Sequence, residues 1–425
     1  MSPKPKVHVV GAGIAGLSCA VRLVREGHDV HVHEAAAQAG GRCRSYRDAK
    51  LDRVVDNGNH LLLTANRAAI AYVDEIGARH TLQGPAQAAF PFMDLRSGER
   101  WTVQPNGGPV PWWLLSPARR IPHTRPWAYA AGLRLAFAGP EATVADCLDR
   151  QDPLWARFWE PLTVAALNTA PEEASARLLW LVVRATFARG EAACRPLIAR
   201  DGLAASFVDP AMAKVRAGGG AIDFNRRLRA IVFAGDRAQR LDFGETQVPL
   251  AEGDRLVLAV PPPVAASLLP NLQAPQDMRP IVNAHIRLPA PPVLPAGLSG
   301  DLPLLGLIGG TTQWLIVRGD VVSLTISAAA GQAAENSEAL ADTLWREAAA
   351  ALALDLPEAP PVRIVKERRA TIAQTPQALR LRPPARTPWH NVVLAGDWTD
   401  TGYPATIESA VRSGWSAVRA CTDSR

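Results

Sequence analysis

The chain has 425 residues, 48% of them hydrophobic and 20% charged, which exceeds the usual single domain and provides for a sizeable core. Its net charge is +6, but no nucleic-acid motif accompanies that balance, so nucleic acid is not an expected partner. Cys19, Cys43, Cys147, Cys194 and Cys421 are scattered and form no CxxC pair; they read as core thiols, with no metal site or disulfide framework expected. Met1 to Lys6 is polar and runs into a strand without the apolar stretch of a signal peptide. The longest uncharged run near the middle, Leu302 to Val317, falls short of the ~20 residues of a spanning helix. A cytoplasmic protein is expected.

In chain order, the first element is Lys-Val-His-Val-Val at Lys6–Val10, a β-branched run suited to a buried parallel strand. Gly11-Ala12-Gly13-Ile14-Ala15-Gly16 follows at once, and a helical apolar pattern continues to Gly27. His28 to His33 is a second strand with alternating valines, ending in Glu34. Strand, glycine turn, helix, strand and acid in this order form a Rossmann dinucleotide fingerprint. Gly11 allows the tight turn, Gly13 lets backbone approach a pyrophosphate, and Gly16 lets the helix pack on the strand. Amides of the first helical turn, at Ala15 and its neighbours, would hold the phosphates. Glu34 would accept hydrogen bonds from the ribose hydroxyls.

Six residues after Glu34 comes Gly40-Gly41-Arg42. This resembles the extended motif of FAD-dependent amine oxidases and phytoene desaturases, in which the glycine pair and the arginine lie along the pyrophosphate. Ala217 to Gly220 reads as a loop entering a helix with Phe224 and Leu228. Arg255 to Val260 reads as a buried strand cut off by Pro261, Pro262 and Pro263. Near the C-terminus, strand Asn391–Ala395 leads into Gly396-Asp397, suited to a ribityl chain and phosphate. Gly402-Tyr403-Pro404-Ala405-Thr406-Ile407-Glu408 follows. Pro404 suits a first helical turn, and a helix start at Ala405 and Thr406 would direct partial positive charge at the flavin.

Three segments narrow the resemblance: Asp56-Asn57-Gly58-Asn59-His60, Ala165-Ala166-Leu167-Asn168-Thr169, and Leu394 to Ala410. Over its whole length the chain is similar to the hydroxysqualene dehydroxylase family of bacterial squalene-associated FAD enzymes. Tyr403 departs from the leucine expected there. The resemblance implies an α/β fold: a Rossmann-type FAD-binding domain of the flavin amine oxidase kind, from residues 1–65, 215–260 and 385–425. An α+β substrate domain, from 66–214 and 261–384, would be interleaved with it. It implies reductive removal of the allylic hydroxyl of hydroxysqualene, giving squalene for hopanoid or sterol-like lipid synthesis. It also implies an external electron donor, which the sequence does not identify.

Gly58 and Asn59 are expected beside the flavin. His60 is the first candidate for the proton donor, because histidine holds a transferable proton near neutral pH; shaping the loop is its alternative role. Asp56 would orient His60 or cap a turn, Asn168 would bind the leaving hydroxyl or end a helix, and Glu408 would face the flavin or serve as a helix-start charge.

Many amine oxidases place a lysine near the flavin, and no lysine occurs between Lys214 and Lys366. An aromatic amine cage is not expected with only 6% Phe, Trp and Tyr. The rival activities are carotenoid-type desaturation and a non-catalytic prenyl-binding role like that of Rab escort and GDI proteins. Residues 110–137 mix Trp112, Trp113, Leu114, Leu115 and Trp127 with Arg119, Arg120, Arg125 and Arg134. That mixture suits a peripheral element on the inner membrane face, from which an insoluble substrate would be collected. Leu178 to Val183 would line the tunnel or belong to the core.

Overall fold

The computed structural model describes residues 5–423 except 296, 299 and 357. Met1 to Lys4, at the start of the polar N-terminal stretch, lie outside the described residues. Five strands make one parallel sheet: β1 (Lys6–Val10), β2 (Asp29–His33), β3 (Ala221–Asp223), β4 (Arg255–Leu258) and β5 (Val392–Leu394), in the order β3-β2-β1-β4-β5. Val7, Val9, Val30 and Val32, at alternate positions, enter one core with helix α1 (Ile14–Arg25), as strand periodicity requires. Helix α3 (Ile407–Thr422) packs along α1 so closely that a Cβ on Gly414 would sit 2.4 Å from the Ala15 carbonyl oxygen.

Strands of this sheet come from all three expected segments, but its core draws in more chain. Helix α2 (Arg67–Glu75) contributes Ala69, Tyr72 and Val73, and the stretch 203–215 adds Leu203, Phe207 and Val215. Both extend beyond the expected boundaries at 65 and 215, because α2 covers the far side of α3 while the stretch 203–215 packs against α1. One local expectation is corrected. The Gly218–Gly220 loop enters edge strand β3 rather than a helix; a Cβ on Gly218 would come within 2.9 Å of Val24, so only glycine passes under the end of α1. Pro262 and Pro263 begin the helix Pro262–Leu268, where a missing N–H is harmless.

The second layer is a seven-stranded sheet in the order Val362–Ile372, Met278–Arg287, Val321–Ile326, Trp314–Arg318, Leu304–Ile308, Phe90–Asp94, Arg100–Val103. Its pairs are antiparallel except Leu304–Ile308 with Phe90–Asp94. Alternation sorts its two faces. Leu305, Leu307, Leu315 and Val317 pack beneath helix Ser337–Leu352, while Leu304, Trp314 and Ile316 line a cavity. Helices Glu160–Leu167 and Ala176–Ala185 close that cavity from the other side. Of the expected tunnel stretch, Leu181 and Val182 face the cavity and Leu178 and Leu179 are core. All five cysteines are free.

Candidate active site

Two cavities meet in the middle of the molecule. One, of about 470 Å³, lies at the carboxyl ends of β1, β2, β4 and β5, where ligands of doubly wound sheets bind. The other, of about 310 Å³, runs between the seven-stranded sheet and the helices. Asn59, His60, Ala405 and Thr406 line both.

The first cavity fits a dinucleotide. Gly11 has φ +107°, and a Cβ there would stand 2.4 Å from the Ala259 carbonyl oxygen. A Cβ on Gly16 would stand 1.9 Å from the Gly11 oxygen, so this glycine serves close packing and does not line the cavity. A Cβ on Gly13 would meet nothing within 4 Å; the backbone there is open to a large ligand. No side chain caps the N-terminus of α1 and no acid occupies its first turn, so its amides are placed for phosphate. Ala15, Glu34, Gly40, Gly41, Arg42, Gly58, Gly396 and Asp397 line the same cavity. Glu34 accepts hydrogen bonds from the amides of Ala12 (2.7 Å) and Ala36 (2.8 Å), which fix its carboxylate at the mouth of the glycine turn. Arg42 grips Asp397 through two bonds of 2.8 and 2.9 Å, joining the first and third segments across the cavity. Burial raises the Cys43 thiol, also on this wall, to about 12, so it stays a neutral lining group.

Sequence reasoning missed the groups that hold this wall in place. Arg382 is buried and donates to the carbonyls of Asp397, Thr399 and Tyr403 at 2.6–2.9 Å, clamping the loop before α3. Gln374 is also buried; its amide donates to the Leu167 carbonyl at 2.8 Å, and its oxygen accepts from the Ala405 amide at 2.8 Å. Neither belongs to a periodic pattern or a motif, so no local signal marks them. The α3 start is also corrected: its N-cap is Thr406, whose hydroxyl accepts from the Ser409 amide, and Pro404 precedes the helix.

The second cavity is mostly hydrocarbon, and six aromatic residues line it: Phe90, Phe92, Phe158, Phe187, Trp314 and Tyr403. The cavity thus concentrates aromatic rings in a chain with only 6% Phe, Trp and Tyr. Among the described residues no lysine lines either cavity.

His60 stands at the junction. Burial lowers its pKa to about 4, with Arg42 and Arg318 adding to the effect and Asp56 opposing it. The imidazole is thus neutral at pH 7, not the partly protonated group expected from histidine's ordinary value of 6.5. Beside it, Asn59 donates to Thr325 Oγ1 at 3.0 Å, while its own Oδ1 is buried without a protein partner. Asp56 is fully occupied elsewhere. It pairs with Arg318 and accepts from Ser45 (2.6 Å) and the Leu203 amide (2.9 Å), while its carbonyl accepts from His285 Nε2 at 2.9 Å. Asn168 ends helix Glu160–Leu167 in the left-handed conformation (φ 48°), bonded to the Ala328 amide and Thr371. Glu408 accepts from the amides of Ala68 and Ala69 and from Arg412. It caps α2 and does not present a free carboxylate.

A parallel sheet bearing a glycine turn, joined to a second cavity over a mixed sheet, defines the class of flavin-dependent oxidoreductases. The family model described as flavin containing amine oxidoreductase matches residues 14–422, and the chain belongs to that family; its cofactor is FAD. It is 48% identical over 411 residues, 96% of each chain, to the hydroxysqualene dehydroxylase of Rhodopseudomonas palustris. The Zymomonas mobilis protein of the same name is 40% identical over 412 residues, covering 96% of this chain and 97% of that one. The 15-cis-phytoene desaturase of an Oncidium hybrid is more distant, at 25% over 97% of this chain and 77% of its own. An oxidoreductase structure from Methanosarcina mazei superposes with a TM-score of 0.72 at 14% identity, covering 97% of this chain and all of its own, a likeness of fold.

Proposed function

We propose that this chain reduces hydroxysqualene to squalene. The C–O bond of the allylic alcohol breaks, a hydride replaces the hydroxyl, and one proton leaves with it as water. The observation that carries the reading is an apolar, aromatic-lined cavity opening onto a dinucleotide cavity at Asn59 and His60, with no lysine on either wall among the described residues. FAD, once reduced by an external electron donor, supplies the hydride.

The chain's own residues do the rest. Gly11, Gly13, Ala15, Gly40, Gly41, Arg42, Glu34, Gly396 and Asp397 hold the cofactor, and the walls of the second cavity exclude water from an extended C30 chain. The unpartnered Asn59 Oδ1 accepts the substrate hydroxyl's hydrogen. His60 delivers the proton from its small protonated fraction. The Trp314 ring stabilises positive charge growing on the allyl carbons, an attraction of about 0.5–2 kcal/mol. Asp56, Asn168 and Glu408 are positioning residues.

Substrate is collected from a bilayer by residues 110–137, where Trp112 (64% exposed), Trp127 (69%) and Phe137 (89%) project outward. Trp113 and Leu135 anchor the same segment inside. Among the described residues no helix is long and apolar enough to cross a membrane, so attachment is peripheral.

Expression in a host that accumulates hydroxysqualene tests the substrate. Squalene in the lipid extract supports the reading; unchanged alcohol beside newly desaturated polyenes would replace it with desaturation.

A further inference from the structure

Three histidines sit on one face of the parallel sheet. His8 of β1 stands opposite His31 of β2, and His33 follows two residues later, so strand alternation puts all three on the side away from the valine core. Asp223 of β3 pairs with His33 in register, and its Oδ2 lies 2.9 Å from His31 Nε2. One nitrogen from each ring falls within 4.8 Å of the others. His8 Nδ1 and His33 Nε2 are 3.1 Å apart, near the edge of ~3.3 Å for a tetrahedron with metal–nitrogen bonds of about 2.0–2.1 Å.

His8 and His33 are buried, and His33 Nδ1 has no partner in the protein. The one hydrogen bond between His8 and His33 offsets only part of the cost of burying two polar rings. We propose that His8, His31 and His33 bind one borderline divalent transition-metal ion such as Zn²⁺, with Asp223 orienting His31. The ion would replace the proton shared between His8 and His33 and tie β1 to β2 beside Glu34. A carboxylate on one ring nitrogen directs the other to the metal, the usual arrangement around histidine ligands. Burial lowers the His8 and His33 pKa values to about 4 and about 2, so both rings are already in the neutral, ligating form at pH 7. Lys6 and Arg226 oppose a cation here, while Asp29 and Asp254 offset them.

The test uses tag-free, FAD-replete protein stripped by chelator and titrated with Co²⁺. The proposal expects visible d–d bands of a tetrahedral site, saturating near one ion per chain and displaced by Zn²⁺, with the flavin spectrum unchanged. His31→Gln, at the most exposed of the three rings, should abolish the bands while retaining FAD. Asp223→Asn should weaken binding by about 10–100-fold. Absence of stoichiometric uptake by the folded wild type, or uptake unaltered by both substitutions, overturns it.

Discussion

His60 lies between the two cavities, and its environment sets how it can work. Only about a thousandth of a group with a pKa near 4 is protonated at pH 7. If that fraction delivers the proton, turnover of reduced enzyme should rise about tenfold for each pH unit below 7, levelling near the pKa. His60→Ala should lower the rate by about 10²-fold or more in flavin-replete protein and flatten the profile. Single-turnover rates across pH check both, and a flat wild-type profile would assign the proton to another group. The motif around His60 made its place on the wall of the dinucleotide cavity legible, but its protonation state was not, because that depends on burial and on the charges of Arg42 and Arg318, distant in sequence. Asp56 shows the same limit. Its Arg318 and Leu203 partners lie far along the chain, so the sequence exposed a polar cluster without saying that it was already satisfied.

At the scale of elements, the glycine turn and its two flanking strands were readable because their chemistry is local. The junction of α2 with α3 was not. Glu408 looks from sequence like a helix-start charge or a flavin-facing acid, and it caps the neighbouring helix 340 residues away in sequence. Replacing it with Ala leaves two buried amides and Arg412 without an acceptor, at a cost of about 1–3 kcal/mol. Glu408→Ala should therefore melt earlier by calorimetry, and Glu408→Gln should lose less while keeping its turnover. Lost turnover at unchanged melting temperature in the Gln variant would return Glu408 to the catalytic group. The seven-stranded sheet was legible only as a mixed substrate domain, because its order depends on pairings between distant segments such as Leu304–Ile308 with Phe90–Asp94.

The whole molecule carries several histidines that the fold keeps neutral. Burial depresses His8, His60 and His285 to about 4 and His33 to about 2, against an ordinary value of 6.5. Between 6.5 and 4 the unfolded chain binds the extra protons, so stability is full above 6.5 and falls with pH. Each histidine contributes a slope of roughly 1 kcal/mol per pH unit in that window. Denaturant melts between pH 7 and 5 should show this steep loss; a flat response would contradict the neutral assignments. On the surface, the exposed rings of residues 110–137 predict vesicle binding. Trp112→Ser with Trp127→Ser should cut partitioning onto anionic vesicles by roughly tenfold without altering the melting temperature, as vesicle co-sedimentation would show.

We place reduction of hydroxysqualene at the junction of the two cavities. Anaerobic single turnover of chemically reduced enzyme with detergent-dispersed hydroxysqualene tests it most directly, following flavin absorbance and extracted lipid together. Flavin reoxidation matched mole for mole by squalene is the expected result. Flavin that stays reduced beside intact alcohol would contradict it.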